Sequence, residues 1–303
     1  MTILVGCRAD ESGIAALSLA ALLARSADTD LVVCAVVSDA WPVDPTNLDT
    51  EFLAYLERVA QQHLDQARAR LPEDVRATFI ARHARSVPKG LMDAADEYDA
   101  DMIVVGSSSS AAHGRLSLGA TAERIAHGSE RPVAMAPRGF RAGAHATVRR
   151  VTVAYGGTTG GDQLVRAAAR VAGRVGAALR LAAFAVRPTT LFADAVVAGK
   201  DDLVVEQWVR RTTDAIQTEL DEVRHLPEVP SRIDAVLGQG YSWPEAIDDA
   251  GWAEGDVLVI GSSRGGPVAR VFLGSRSSKI LRNAPVPVVV VPGAAAEALA
   301  GDD

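Results

Sequence analysis

The sequence predicts an α/β protein written twice, as two tandem open parallel five-stranded sheets with helices on both faces. Three observations carry this. Short apolar, β-branched runs such as Val257-Leu-Val-Ile260 alternate with longer stretches of helical spacing, the mark of a parallel sheet with crossover helices. The alternation starts again near residue 150. Finally, Asp101, Gly106, Gly119 and Pro137 recur as Asp256, Gly261, Gly274 and Pro292, each 155 residues on. Four landmarks at one offset mark an internal duplication.

Ile3 to Cys7 reads as the first strand, Arg8 to Gly13 as a polar turn, and Ile14 to Arg25 as an Ala/Leu-rich helix. Leu31 to Val37 is the second strand, and Ser38 to Asn47, with Pro42 and Pro45, a loop. Phe52, Leu53, Leu56, Val59, Ala60 and Leu64 set a helical period from Leu48 to Ala69, which Pro72 closes. Val75 to Ala81 is the expected third strand, Val87 to Glu97 a helix, Asp101 to Gly106 the fourth strand and Arg131 to Pro137 the fifth. Residues 138–149 form a basic, Gly/Ala-rich joint. Beyond it, Val151 to Tyr155 and Leu179 to Val186 repeat the first two strands, and Leu203 to Val223 the long helix. Val257 to Ile260 and Val286 to Pro292 are the last two strands. Between them the chain is expected to turn at Gly261 and to open a helix at Gly274-Ser275. The domains are thus 1–140 and 148–293, with 294–303 as a tail.

The chain carries 31 Lys+Arg against 38 Asp+Glu, a formal charge of −7. That balance speaks against a general nucleic-acid or membrane-surface role, which needs a basic face. A small anion held by backbone amides is compatible with it. Cys7 and Cys34 fall in predicted strands with no metal or disulfide spacing, and read as reduced core residues. The start Met1-Thr-Ile-Leu-Val-Gly6 has no basic region ahead of a long apolar core, and Pro285, Pro287 and Pro292 break the C-terminal apolar run. A cytoplasmic protein is expected.

Ligands of open parallel sheets sit beyond the carboxyl ends of the strands, where the winding reverses. In the second half both loops there, Gly156 to Gly161 and Gly261 to Gly266, are glycine-rich. The Gly274-Ser275 helix start adds free N–H groups and a hydroxyl, which suit a di- or triphosphate. Spacing alone leaves open whether these glycines bind phosphate or only make tight turns. A G-x-G-x-x-G dinucleotide fingerprint is missing from the first turns, and no Gly precedes Lys-Ser or Lys-Thr as a Walker A loop requires. His63, His83, His113, His127, His145 and His225 show no metal spacing. Asp93, Asp96, Glu97 and Asp99, and likewise Asp248, Asp249, Glu254 and Asp256, read as solvated charge. Trp243 and Trp252 read as packing for a helix between them. No nucleophile–base pair is visible.

Gly261-Ser-Ser-Arg264, nine residues, Gly274-Ser275, and a closing Val286-Pro-Val-Val-Val-Val-Pro292 resemble the universal stress protein family. The first half matches with Gly106-Ser-Ser-Ser109, nine residues, Gly119-Ala120 and Arg131 to Pro137. The resemblance covers nearly the whole chain, in the two-domain form familiar from actinobacteria. It implies a Rossmann-like fold of the adenine nucleotide alpha hydrolase kind, with ATP, or ADP or AMP, as ligand and magnesium as its companion. Phosphates would lie among Gly261, Ser262, Arg264, Gly265, Gly274, Ser275 and Ser277, and adenine near Val186. Family members that bind nucleotide use an Asp after the first strand, where this chain has Arg8 and Gly156. The motif's middle glycine is Ser109 in one half and Arg264 in the other, with Gly265 beside it, and its hydroxyl residue is Ala120 in one half and Ser275 in the other. The second half therefore keeps the better site. Arg264 reads either as a phosphate contact or as a solvated loop residue, and Arg276 likewise.

Single-domain relatives pair their fifth strands antiparallel in a dimer, which implies an internal pairing of Val133 to Ala136 with Val288 to Val291. A homodimer of the tandem chain stays open. The leading expectation is a stress-response regulator that binds an adenine nucleotide in its second half. The alternative is a nucleotide-free scaffold acting through protein contacts, and a slow ATP hydrolase is a third reading.

Overall fold

The computed structural model of the protein describes residues 1–38, 47–156, 161–187, 200–226, 230, 232–264, 271–272 and 274–301. The first half runs β1 (Thr2–Gly6), α1 (Glu11–Ala27), β2 (Asp30–Ser38), α2 (Asn47–Arg70), β3 (Ala77–Ala84), α3 (Val87–Glu97), β4 (Met102–Gly106), α4 (Ala120–Gly128) and β5 (Val133–Ala136). The second runs β6 (Arg150–Ala154), α5 (Gly161–Arg174), β7 (Ala178–Val186), α6 (Lys200–Val223), β8 (Ile233–Gly240), α7 (Trp243–Asp249), β9 (Asp256–Arg264), β10 (Val271–Phe272), α8 (Ser275–Asn283), β11 (Val288–Pro292) and α9 (Gly293–Gly301).

Strand order is β3-β2-β1-β4-β5-β11-β9-β6-β7-β8, so each half is wound 3-2-1-4-5 and the two share one continuous sheet. All pairings along it are parallel except β5–β11, which is antiparallel and sets Val288, Val289 and Val290 opposite Met135, Ala134 and Val133. Winding reverses between β1 and β4, and again between β6 and β9.

The strands form where the sequence places β-branched runs, because both sheet faces are covered and alternate residues enter two separate cores. Ile3, Val5, Val289 and Val291 face α1, α2, α5, α6 and α9. Leu4, Ile103, Val288 and Val290 face α3, α4, α7 and α8. Each such buried Val, Leu or Ile stabilises the fold by about 1.5–3 kcal/mol before entropy is counted. Helix starts are local decisions. Asp10 accepts from the Gly13 N–H at 2.9 Å to start α1. Ser86 and Ser242 each accept from the amide three residues on, with Pro in the first turn of α3 and α7.

Several expectations change. The third strand lies at Ala77–Ala84 rather than 75–81: Val75 donates to Pro72 O in a turn, and β3 pairs with β2 from Leu31↔Ala77 to Ser38↔Ala84. The second half's third strand, β8, has no counterpart in the sequence reading. Gly261 does not begin a turn. It sits inside β9, which β11 pairs as far as Ser262↔Pro292 and β10 meets antiparallel at Ser263 and Arg264. The 294–303 tail is helix α9 as far as Gly301, since Ala294-Ala-Ala-Glu-Ala-Leu-Ala300 are strong helix formers, and it packs on α5. The joint at 138–149 is tied to α1, with Ala142 N donating to Ser18 Oγ, Val148 N to Ser26 Oγ, and Arg25 Nη1 to Ala146 O. Asp256 is no solvated charge: its side chain is 2% exposed and pairs with Arg150. No described helix is long and apolar enough to cross a membrane.

Candidate functional site

A cleft of about 690 Å³ opens at the carboxyl ends of β6 and β9, the point of winding reversal in the second half. Its floor is the ends of those strands, with Ala154, Tyr155, Gly156, Ile260, Gly261 and Ser262. Gly274, Ser275, Arg276 and Ser277, the first turn of α8, form one wall. Gly293, Ala294, Ala296 and Glu297 of α9 form another. Aromatic rings line the rest: Phe184 at the end of β7, Trp208 on α6 and Trp243 at the start of α7. The volume lies within the range of small-molecule sites.

The α8 wall carries positive potential toward the cleft. Gly274 is its N-cap with no side-chain cap bond, so the first amides of α8 lack an intrahelical partner. The helix carries Arg276, Lys279 and Arg282 and no acid, which adds positive potential to the helix dipole. A Cβ built on Gly274 meets no atom within 4 Å. Ser277 Oγ donates to Gly261 O at 3.4 Å, tying helix to strand. Lys279 Nζ stands 5.7 Å from the Trp243 ring centroid, within cation–π range.

Behind the rim, the Tyr155 hydroxyl and the Glu219 carboxyl of α6 influence each other's ionisation. Burial pushes the Glu219 carboxyl above the usual carboxylate range, and the nearby Glu222 and Asp162 charges push it further. One of its oxygens is buried with no partner. Burial, then Glu219 and Asp162, raises the Tyr155 hydroxyl as well.

The equivalent place in the first half is shut. A Cβ on Gly106 would lie 2.1 Å from the Ser12 carbonyl, because the first turn of α1 presses on the end of β4. The loop after β4 is sewn to itself, Ser108 N to Ser117 O at 2.9 Å and Ser117 N to Ser107 Oγ at 2.8 Å. Arg138 fills what is left: Nη1 donates to the Ser109 and Ala111 carbonyls at 3.1 and 2.9 Å, and Nε to Glu11 at 3.0 Å. Beside β1, among Gly6, Cys7, Arg8, His63 and Arg70, the remaining space is about 10 Å³, which holds one water at most. Arg8 there pairs with Asp10 at 2.8 Å.

Gly261, Ser262, Gly274, Ser275 and Ser277, the residues the family resemblance brought together, line one space. Ser262 is buried, its hydroxyl donating to Val291 O at 3.3 Å. Val186 ends β7 and packs into the core below, while Phe184 is the β7 residue that reaches the cleft. Gly265 lies outside the described residues, as do residues 157–160 of the first glycine loop; Arg264 is described only as a β9 residue paired with Val271. The sequence reading missed Tyr155, Gln163, Trp208 and the α9 wall, and took Trp243 for packing. The available signal was Ser242-Trp243-Pro244, a helix cap just after a strand's carboxyl end. Among the described residues, no cluster of three or more His, Cys, Asp or Glu is placed to hold a metal ion.

Comparison with known proteins agrees with the fold and its repetition. The profile of the "Universal stress protein family" matches residues 1–137 and again 147–292. The universal stress protein Rv2319c of Mycobacterium tuberculosis is 35% identical over 297 residues, 97% of this chain and 100% of that protein. Among solved structures, a universal stress protein from Archaeoglobus fulgidus superposes with a TM-score of 0.58 at 18% identity, covering 96% of this chain and 98% of that one. One from Pseudomonas aeruginosa gives 0.57 at 15% identity over 99% and 98%. The chain belongs to the universal stress protein family, with the family's unit present twice.

Proposed function

We propose that the protein is a stress-response regulator that binds an adenine nucleotide, ATP or its relatives ADP and AMP, in the second-half cleft. One observation carries the reading: among the described residues, the second-half strand ends border an open cleft, where an uncapped, cationic helix start faces a space with aromatic walls. Phosphate oxygens would accept from the free amides of α8 and from the Ser275 hydroxyl, and magnesium would arrive with the phosphates. The base would stack against the Trp243, Trp208 and Tyr155 side of the cleft.

The test is nucleotide content and calorimetry. Protein purified gently and then denatured should release an adenine nucleotide identifiable by mass spectrometry. The emptied protein should take up ATP, ADP or AMP near one per chain. Gly274→Val should abolish uptake, since Gly274 lines the cleft at the first amides of α8. Gly119→Val, whose Cβ would come 3.4 Å from Ser108 Cβ in the closed half, should leave it intact. Absence of released nucleotide and of binding heat would refute the reading. A nucleotide-free scaffold is the second reading, favoured by Gly156: no carboxylate stands there to hold a ribose.

A further inference from the structure

Arg115 belongs to the closed loop of the first half, yet its guanidinium reaches into the second. Nη1 and Nη2 grip the Asp248 carboxylate at 3.0 and 2.9 Å, and Nη1 also donates to the Asn283 carbonyl at 2.5 Å. Asp248 lies in the last turn of α7 and Asn283 is the last residue of α8. Both helices begin at the cleft, where Trp243 and Ser275 line it. One side chain from the other half therefore holds the far ends of two helices whose near ends shape the site.

The mount is rigid. Gly114 N donates to Arg138 O at 2.9 Å and Arg138 N to Arg115 O at 3.0 Å, while Leu116 beside it is buried. Of the two helices α8 has the fewer other ties, chiefly Ser277 Oγ on Gly261 O. The nine residues of α8 bury only Ile280 and Leu281 and carry three cations with no acid, so packing alone fixes its direction poorly. The bidentate pair is the strong, directional kind of contact. The same residue types recur 155 positions away: Arg115 with Arg270, which lies outside the described residues, and Asp248 with Asp93.

We propose that Arg115 is a positioning residue: the first half's closed loop has become a brace that aims α7 and α8 at the second-half site. This rests on the nucleotide reading above. The test measures ATP affinity of the full chain by calorimetry, thermal unfolding without ligand, and amide hydrogen exchange. Arg115→Gln should weaken ATP about tenfold, a typical coupling between separated sites, and speed exchange across Ser278 to Asn283, with the unliganded Tm nearly unchanged. Asp248→Asn should do the same, and Arg115→Lys should recover part of the loss, because an ammonium keeps the charge but not the two-point grip on the carboxylate. Arg131→Gln, which removes a cation paired with Asp96, is the control and should match wild type. Wild-type affinity in Arg115→Gln with unchanged α8 exchange overturns the brace, as does a fall in affinity matched by a general fall in Tm. If the wild type binds no ATP while α8 exchange still rises selectively, the brace stands and the nucleotide reading falls.

Discussion

Arg150→Ala should be among the most destabilising substitutions at this protein's surface, although Arg150 itself is partly exposed. At the head of β6 it donates Nε to Asp256 Oδ1 at 3.0 Å and Nη2 to Asp256 Oδ2, and also reaches Gly251 O at 3.3 Å. Asp256 heads the neighbouring β9 with a side chain 2% exposed, and it also accepts from Ala253 N at 2.8 Å. Removing the arginine leaves a carboxylate in the sheet with one amide donor. Breaking a buried pair from one side costs about 3–5 kcal/mol, and the 24% exposure of Arg150, which lets water in, places the expected loss near the lower end, about 3 kcal/mol. For a chain of 303 residues unfolding as one unit, that lowers Tm by roughly 5 °C. Urea and thermal unfolding of Arg150→Ala, Asp256→Leu and the double variant measure it. The double variant should be less damaged than Arg150→Ala alone, because the stranded charge is gone. A loss under about 1 kcal/mol in Arg150→Ala, or a double variant worse than the sum of the singles, would refute the argument.

Further outcomes follow from the same geometry. Glu219→Gln removes a carboxyl whose folded pKa is raised, so the folded state is weakened once that group ionises; the variant's urea midpoint should equal wild type at acid pH and exceed it increasingly as pH rises through the raised value. A gain independent of pH would count against this. Burial lifts the Cys7 and Cys34 thiols to about 11 and about 12, so a thiol reagent at pH 8 should react slowly with native protein and quickly with two thiols in denaturant. Trp243→Ala should weaken nucleotide binding by about 1–2 kcal/mol if the base stacks there, while wild-type tryptophan fluorescence should change on titration. Truncation after Pro292 should remove the α9 wall, lower stability through exposed α5 surface, and weaken binding more than Gly119→Val does.

Much of the fold was legible because apolar runs and helix caps are local. The shared 155-residue offset marks both halves from the sequence alone, while the cap serines of α3 and α7 are local signals that the sequence reading left unused. What stayed hidden depends on partners distant in sequence. The edge strand β8, Ile-Asp-Ala-Val-Leu-Gly-Gln-Gly, is mostly half-buried and so lacks an apolar run. Asp256 looks like solvated charge until Arg150, 106 residues earlier, is seen beside it. For the site, the glycines and serines around the start of α8 could be read from one short stretch. The aromatic wall could not, since Tyr155, Phe184, Trp208 and Trp243 sit on four different elements or their flanks. Nor does substitution of Ser109 or Ala120 alone reveal that the first half is closed; that takes Arg138 folding back over the loop.

The antiparallel seam between β5 and β11 has one more consequence. Its register spans only three residue pairs, a contact that separate chains would hold only as far as their concentration allowed. On one chain the two strands meet at a fixed and high effective concentration, so the seam survives dilution. In a pair of identical subunits every substitution strikes both sites at once. Here each copy has a separate history: a residue such as Arg138, whose counterpart 155 positions on is Gly293, can close one copy while the other is left unaltered.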